Sequence, residues 1–177
     1  MKKLIYASIL LVTFLTTYAQ EWKKYKYEDL ECIAYFPSEP NRTVQKVDTA
    51  LGELDMYMVA AESKINNDNA YYAFIRSDYP KEGFSNLSKD KTSSMLDGAV
   101  EGAVNNVQGT LVKEENITLN GYPGRSIIIK IEGASLYMQN FLVENTMYVV
   151  QVIAEDGKLN MKSVERFFDA FDIIKVK

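Results

Sequence analysis

The chain is predicted to fold as an α+β protein: a central, mainly antiparallel sheet covered by helices, in an α/β/α sandwich. Three observations lead there. Strand-like runs stand on both sides of one helix-like stretch and before a second. Successive runs are joined by connections short enough for hairpins, which makes neighbours antiparallel. Both helical stretches carry an apolar stripe, and each stripe needs a sheet face to cover.

The first 19 residues read as a secretory signal peptide, leaving residues 20–177 as a single domain. Lys2 and Lys3 give the positive start, residues 4–15 are apolar apart from Ser8 and Thr13, and Ala19 precedes a cleavage point at Gln20. The apolar run is too short for a spanning helix and no stop-transfer segment follows. The expectation is an exported protein, periplasmic or extracellular, with no stable membrane insertion. The full chain carries a net charge of −4, and loss of Lys2 and Lys3 makes the remainder more acidic. With no basic cluster, nucleic acid and anionic membrane surfaces are poor partners.

Residues 21–27 alternate charged and aromatic side chains and form a first strand or an extended lead-in. Residues 30–36 are strand-like and end at Pro37 and Pro40, because proline cannot donate to a ladder. Residues 41–47 alternate weakly, 49–52 form a turn, and 53–61 return as a strand with Leu54, Met56 and Met58 on one face. A polar connection at 64–69 leads into an aromatic-rich strand at 70–79, stopped by Pro80. The period then changes. Met95, Leu96, Ala99, Val100, Ala103, Val104 and Val107 make a helical stripe within 88–107, with Gly109 as its stop. Gly98 and Gly102 weaken this helix by about 1 kcal/mol each.

Strands resume at 110–119, 126–132, 136–144 and 147–154, and a last helix at 160–171 places Val164, Phe167, Phe168 and Phe171 on one side. Asn120-Gly121 is a strong hairpin signal, since both residues tolerate positive φ. A plain two-residue turn would put Ile117 and Leu119 on the face opposite Ile127, Ile129 and Ile131. A bulge at Pro123-Gly124 is therefore expected, to bring those sets onto one face.

Five segments carry a family resemblance: Ala34-Tyr-Phe-Pro-Ser-Glu-Pro40, Thr49-Ala-Leu-Gly-Glu-Leu54, Leu96-Asp-Gly-Ala-Val100, Leu119-Asn-Gly-Tyr-Pro-Gly-Arg125 and Val164-Glu-Arg-Phe-Phe-Asp-Ala-Phe171. Together they resemble bacterial exported proteins of the PsbP-like superfamily, a group that includes the Mog-type Ran-binding proteins. The resemblance implies an antiparallel sheet between helices and an accessory or binding role. It implies no catalytic residues, and nothing in these segments transfers a photosynthetic or Ran-binding role.

The chain contains no histidine and one cysteine. Ser–His–Asp and Cys–His catalysis, histidine metal sites and thiolate clusters are thereby excluded, and no phosphate-cradling glycine motif occurs. No cofactor or metal is expected. Carboxylate-only hydrolysis is the catalytic class left open, with Asp55, Glu114 and Glu115 as nominal acids. Asn66-Asn67-Asp68-Asn69 reads as a polar turn; as a Ca²⁺ loop it lacks the glycine and terminal glutamate. Cys32 reads as a small buried hydrophobe, or else as a thiol open to an intermolecular disulfide. Tyr122 and Arg125 are the candidate binding residues. Asp48-Thr49-Ala50 matches a short O-glycosylation pattern, with Thr49 as acceptor. The function expected is an exported non-enzymatic binding domain engaging an envelope protein or component. A small-ligand or lipid carrier with an apolar cleft, and a carboxylate hydrolase, are the alternatives.

Overall fold

The computed structural model describes residues 22–49, 52–64, 68–84 and 87–174. The expected signal peptide, Ala50 of the expected glycosylation pattern, and Asn66 and Asn67 lie outside them. In chain order the elements are β1 (Lys23–Tyr27), β2 (Cys32–Phe36), β3 (Asn41–Thr49), β4 (Gly52–Glu62), β5 (Tyr71–Asp78), a 3-10 turn (Lys81–Gly83), α1 (Lys89–Asn106), β6 (Thr110–Leu119), β7 (Tyr122–Ile131), β8 (Ala134–Val143), β9 (Thr146–Glu155), α2 (Met161–Asp169) and β10 (Asp172–Ile173).

Seven strands form one antiparallel sheet in the order β3-β4-β5-β9-β8-β7-β6, and β1, β2 and β10 form a second in the order β1-β2-β10. The large sheet is thus two meanders joined where β5 meets β9, with α1 carrying the chain between them. Each face has its own core. On one, Tyr72, Phe74, Phe141, Tyr148, Val150 and Val152 meet β2 and the Val164–Phe167 side of α2. On the other, Ile127, Ile129, Leu136 and Met138 pack against Val100, while Leu142 and Met147 pack against Leu96.

The expected sandwich needs a correction here. The protein is sheet-rich with two helices, and on the α2 face much of the cover is strand. α2 has nine residues, too few to span seven strands, and the small sheet supplies the rest.

Both helices start on side-chain caps, as short amphipathic helices require. Ser88 Oγ accepts from the Lys91 N–H at 3.3 Å, and Asn160 Oδ1 accepts from the Ser163 N–H at 3.3 Å. The end of α1 differs from expectation. Gln108, not Gly109, takes the left-handed conformation (φ 51), and the Gly109 N–H closes onto Val104 O at 3.1 Å. Gly109 is needed for close approach instead, since a Cβ there would strike the Cγ2 of Ile129.

The hairpin holds a second correction. Asn120 (φ 53) and Gly121 (φ 85) form the two-residue turn as expected. The ladder then runs regularly through Leu119↔Tyr122, Thr118↔Pro123 and Ile117↔Gly124, and the register shift lies between Leu111 and Lys113. No bulge is needed, because both faces of the sheet are covered: the half-buried Ile117 and Leu119 pack on the α2 side, and the buried Ile127 and Ile129 on the α1 side. Pro123 is tolerated because pairing with β8 begins only at Gly124↔Phe141. Gly124 itself has no room for a side chain. A Cβ there would collide with the backbone oxygen of Asn140 and lie 2.6 Å from the Phe141 ring. Gly124→Ala is expected to cost about 1–3 kcal/mol in urea denaturation; an unchanged midpoint would show that β8 can yield.

Candidate functional site

An open cleft of about 750 Å³ lies where the small sheet meets one end of the large one. Its walls come from distant parts of the chain: Glu31 between β1 and β2, Arg76 and Asp78 on β5, Tyr122 at the start of β7, Tyr148 on β9, and Ile173 on β10. The turn that delivers Glu31 closes with a Glu31 N–H bond to Glu28 O at 3.2 Å, Glu31 itself being left-handed (φ 53). Hydrogen bonds to its backbone carbonyls help tie this turn to the rest. The Tyr148 hydroxyl donates to Leu30 O at 2.9 Å, and the Ile174 N–H donates to Glu31 O at 2.8 Å. Burial raises the Tyr148 phenol well above its usual pKa, so it stays a protonated donor.

Arg76 is the centre of the cleft. Its side chain is 11% exposed and its guanidinium lies 5.7 Å from the centroid of the Tyr148 ring. Nε donates to both Asp78 oxygens, at 3.0 and 3.2 Å. Nη1 sits 3.1 Å from Glu31 Oε2 but is not aligned for a hydrogen bond, so that contact is electrostatic alone. Asp78 also accepts from Thr146 Oγ1 at 2.7 Å. Below these groups, β5 and β9 are braced by the Tyr79 N–H bond to Asn145 O (2.8 Å) and the Asn145 side-chain bond to Tyr79 O (2.7 Å). The guanidinium is therefore held from three sides at a fixed depth.

This arrangement does not fit paired-carboxylate hydrolysis. Paired-carboxylate hydrolysis needs two acids facing each other across a gap with different protonation. Here Glu31 and Asp78 are separated by a guanidinium that both engage. The charges on the walls also make the cleft unlike the apolar slot a lipid carrier needs. Among the described residues no group of three or more acidic or cysteine side chains could hold a metal ion, and no helix is long and apolar enough to cross a membrane.

The two candidate binding residues do not come together. Tyr122 lines the cleft, whereas Arg125 faces α1 and is spent there. Arg125 Nη2 donates to Asp97 at 2.6 Å and Ser93 at 2.8 Å, and Nε donates to Glu114 at 3.2 Å. Thr49 ends β3, and its side chain is outside the described ones. Cys32 is fully buried in the core, and burial pushes its thiol up to about 12, so it is a neutral, inert filler. Asp68 and Asn69 are buried rather than set in a solvated turn. Ser63 (2.9 Å) and Tyr72 (3.0 Å) both donate to the Asp68 carboxylate. Sequence reasoning missed Arg76 and Asp78, for which a charged pair two residues apart on one strand face was the available signal.

No protein-family model and no curated protein sequence matches the chain. Among solved structures, the solution structure of cyanobacterial PsbP from Synechocystis sp. PCC 6803 is similar, with a TM-score of 0.53 at 10% identity. The match covers 89% of this chain and 95% of that one. At that identity the likeness shows a PsbP-like fold.

Proposed function

We propose that the chain is an exported, non-enzymatic binding or accessory domain that engages an envelope protein or another envelope component through the cleft around Arg76. The observation that carries this is the fixed guanidinium. Asp78, Glu31 and Tyr148 hold it at constant depth in an open cleft, which reduces the ordering cost of binding a partner. The PsbP-like fold supports an accessory role, and the lysines and apolar run of residues 1–19 support export. Tyr122 is the contact residue on the wall. Arg125 anchors α1 to the sheet.

The test places a photo-crosslinking phenylalanine analogue at Tyr122 in the native producing cell, with the same group at the exposed Lys162 as control. A discrete adduct from position 122 that is absent from 162 is expected. No adduct, or the same pattern from both positions, would overturn the reading.

A further inference from the structure

The two edges of the seven-stranded sheet are finished differently. β6 has a register shift between Leu111 and Lys113, with Val112 63% exposed, followed by Lys113, Glu114 and Glu115. A bulge and a run of charges both discourage strand addition. β3 has no such bulge. Its nine residues pair with β4 without a shift, from Asn41↔Ala60 to Thr49↔Gly52. Val44 and Val47 are 52% and 36% exposed, and among the described residues no strand pairs with the outer side of β3. That side presents unpaired backbone groups on a regular strand, the template onto which another strand adds.

We infer that a second copy of this chain occupies that edge, its β3 antiparallel to the first about a two-fold axis normal to the sheet. The residues of β3 select the register. With the axis at Gln45, Arg42 of each copy stands opposite Asp48 of the other, and Val44 stands opposite Lys46, whose aliphatic stem can cover it. With the axis at Val44, Arg42 would face Lys46; with the axis at Lys46, two lysines would meet. Shifting further shortens the ladder. The Gln45-centred pairing is therefore both the longest and free of facing like charges. The strand is self-complementary, as a two-fold contact requires. The Arg42 guanidinium lies 5.6 Å from the centre of the Tyr57 ring on β4. Asp29 holds the same guanidinium at 2.6 Å, and the side chain stays 38% exposed, accessible to a second carboxylate.

Analytical ultracentrifugation of the purified protein tests this. The wild type is expected to show a concentration-dependent dimer. Asp48→Lys sets like charges opposite Arg42 and is expected to raise the dimer Kd by about tenfold or more. The double variant Arg42→Glu with Asp48→Lys restores opposite charges and is expected to bring the dimer back. Far-UV circular dichroism confirms that each variant is folded. A wild type that stays monomeric up to about 1 mM overturns the proposal, as does a dimer indifferent to Asp48→Lys. Loss without rescue in the double variant overturns the register.

Discussion

Phe167→Ala is expected to destabilise the protein by about 3–5 kcal/mol, the range for truncating a fully buried aromatic ring. Phe167 is 0% exposed. Its ring centroid lies 5.3 Å from that of Tyr72, 5.4 Å from that of Phe36 and 6.3 Å from that of Trp22. Those partners belong to β5, to β2 and to the residue before β1, so one side chain joins the large sheet, the small sheet and α2. Nine residues are too few for a stable isolated helix, so α2 exists because this side docks. Three rigid backbones surround the site and limit how far it can collapse. Urea denaturation followed by far-UV circular dichroism measures the loss. A cost below about 1 kcal/mol would mean that the neighbours close the cavity and that α2 is held by Val164 and its cap.

How much of this was legible beforehand depended on the range of the interaction. The stripe through Leu96 and Val100 and the Asn120-Gly121 turn are local signals, and each formed where its residues placed it. The pairing of faces is not local. Ile117 and Leu119 against Ile127 and Ile129 looked like a conflict only on the assumption that one face mattered. When both faces are buried, alternation cannot say which cover each set meets. β10 has two residues, below the length at which any periodicity exists. The cleft was illegible for a topological reason: Glu31, Arg76, Tyr122 and Tyr148 meet only because β5 crosses to β9 and the C-terminal segment returns to β2. Arg125 shows the reverse error. Beside a tight turn it read as a binding residue, and its partners Ser93 and Asp97 on α1 could not be assigned to it until the helix was docked.

Asn69 carries the second large effect, and it bears on how the connection after β4 is fastened to α2. The residue is fully buried. Its amide donates to the Tyr72 hydroxyl and to Asn160 O, both at 2.9 Å, and its oxygen accepts from the Asn160 N–H at 3.0 Å. Asn160 is also the cap of α2, so the interaction fixes where that helix begins. Asn69→Ala leaves the Asn160 N–H without this partner and is expected to cost about 2–3 kcal/mol, because a buried group stripped of its hydrogen bond retains its desolvation penalty. Asn69→Asp has nearly the same shape and separates shape from chemistry. Its carboxylate would be buried near Asp68, which raises its folded pKa above the unfolded value of about 3.9. The unfolded state then releases the proton first, so the variant's stability should fall as pH rises from the unfolded pKa toward the raised folded one. Asn69→Asp is expected to lie nearest the wild type in acid, where the protonated group can still donate one bond, and furthest from it at pH 7 to 8. Urea midpoints of wild type and variant across that pH span measure the gap. A gap that does not widen as pH rises would show that water reaches position 69 and solvates the carboxylate.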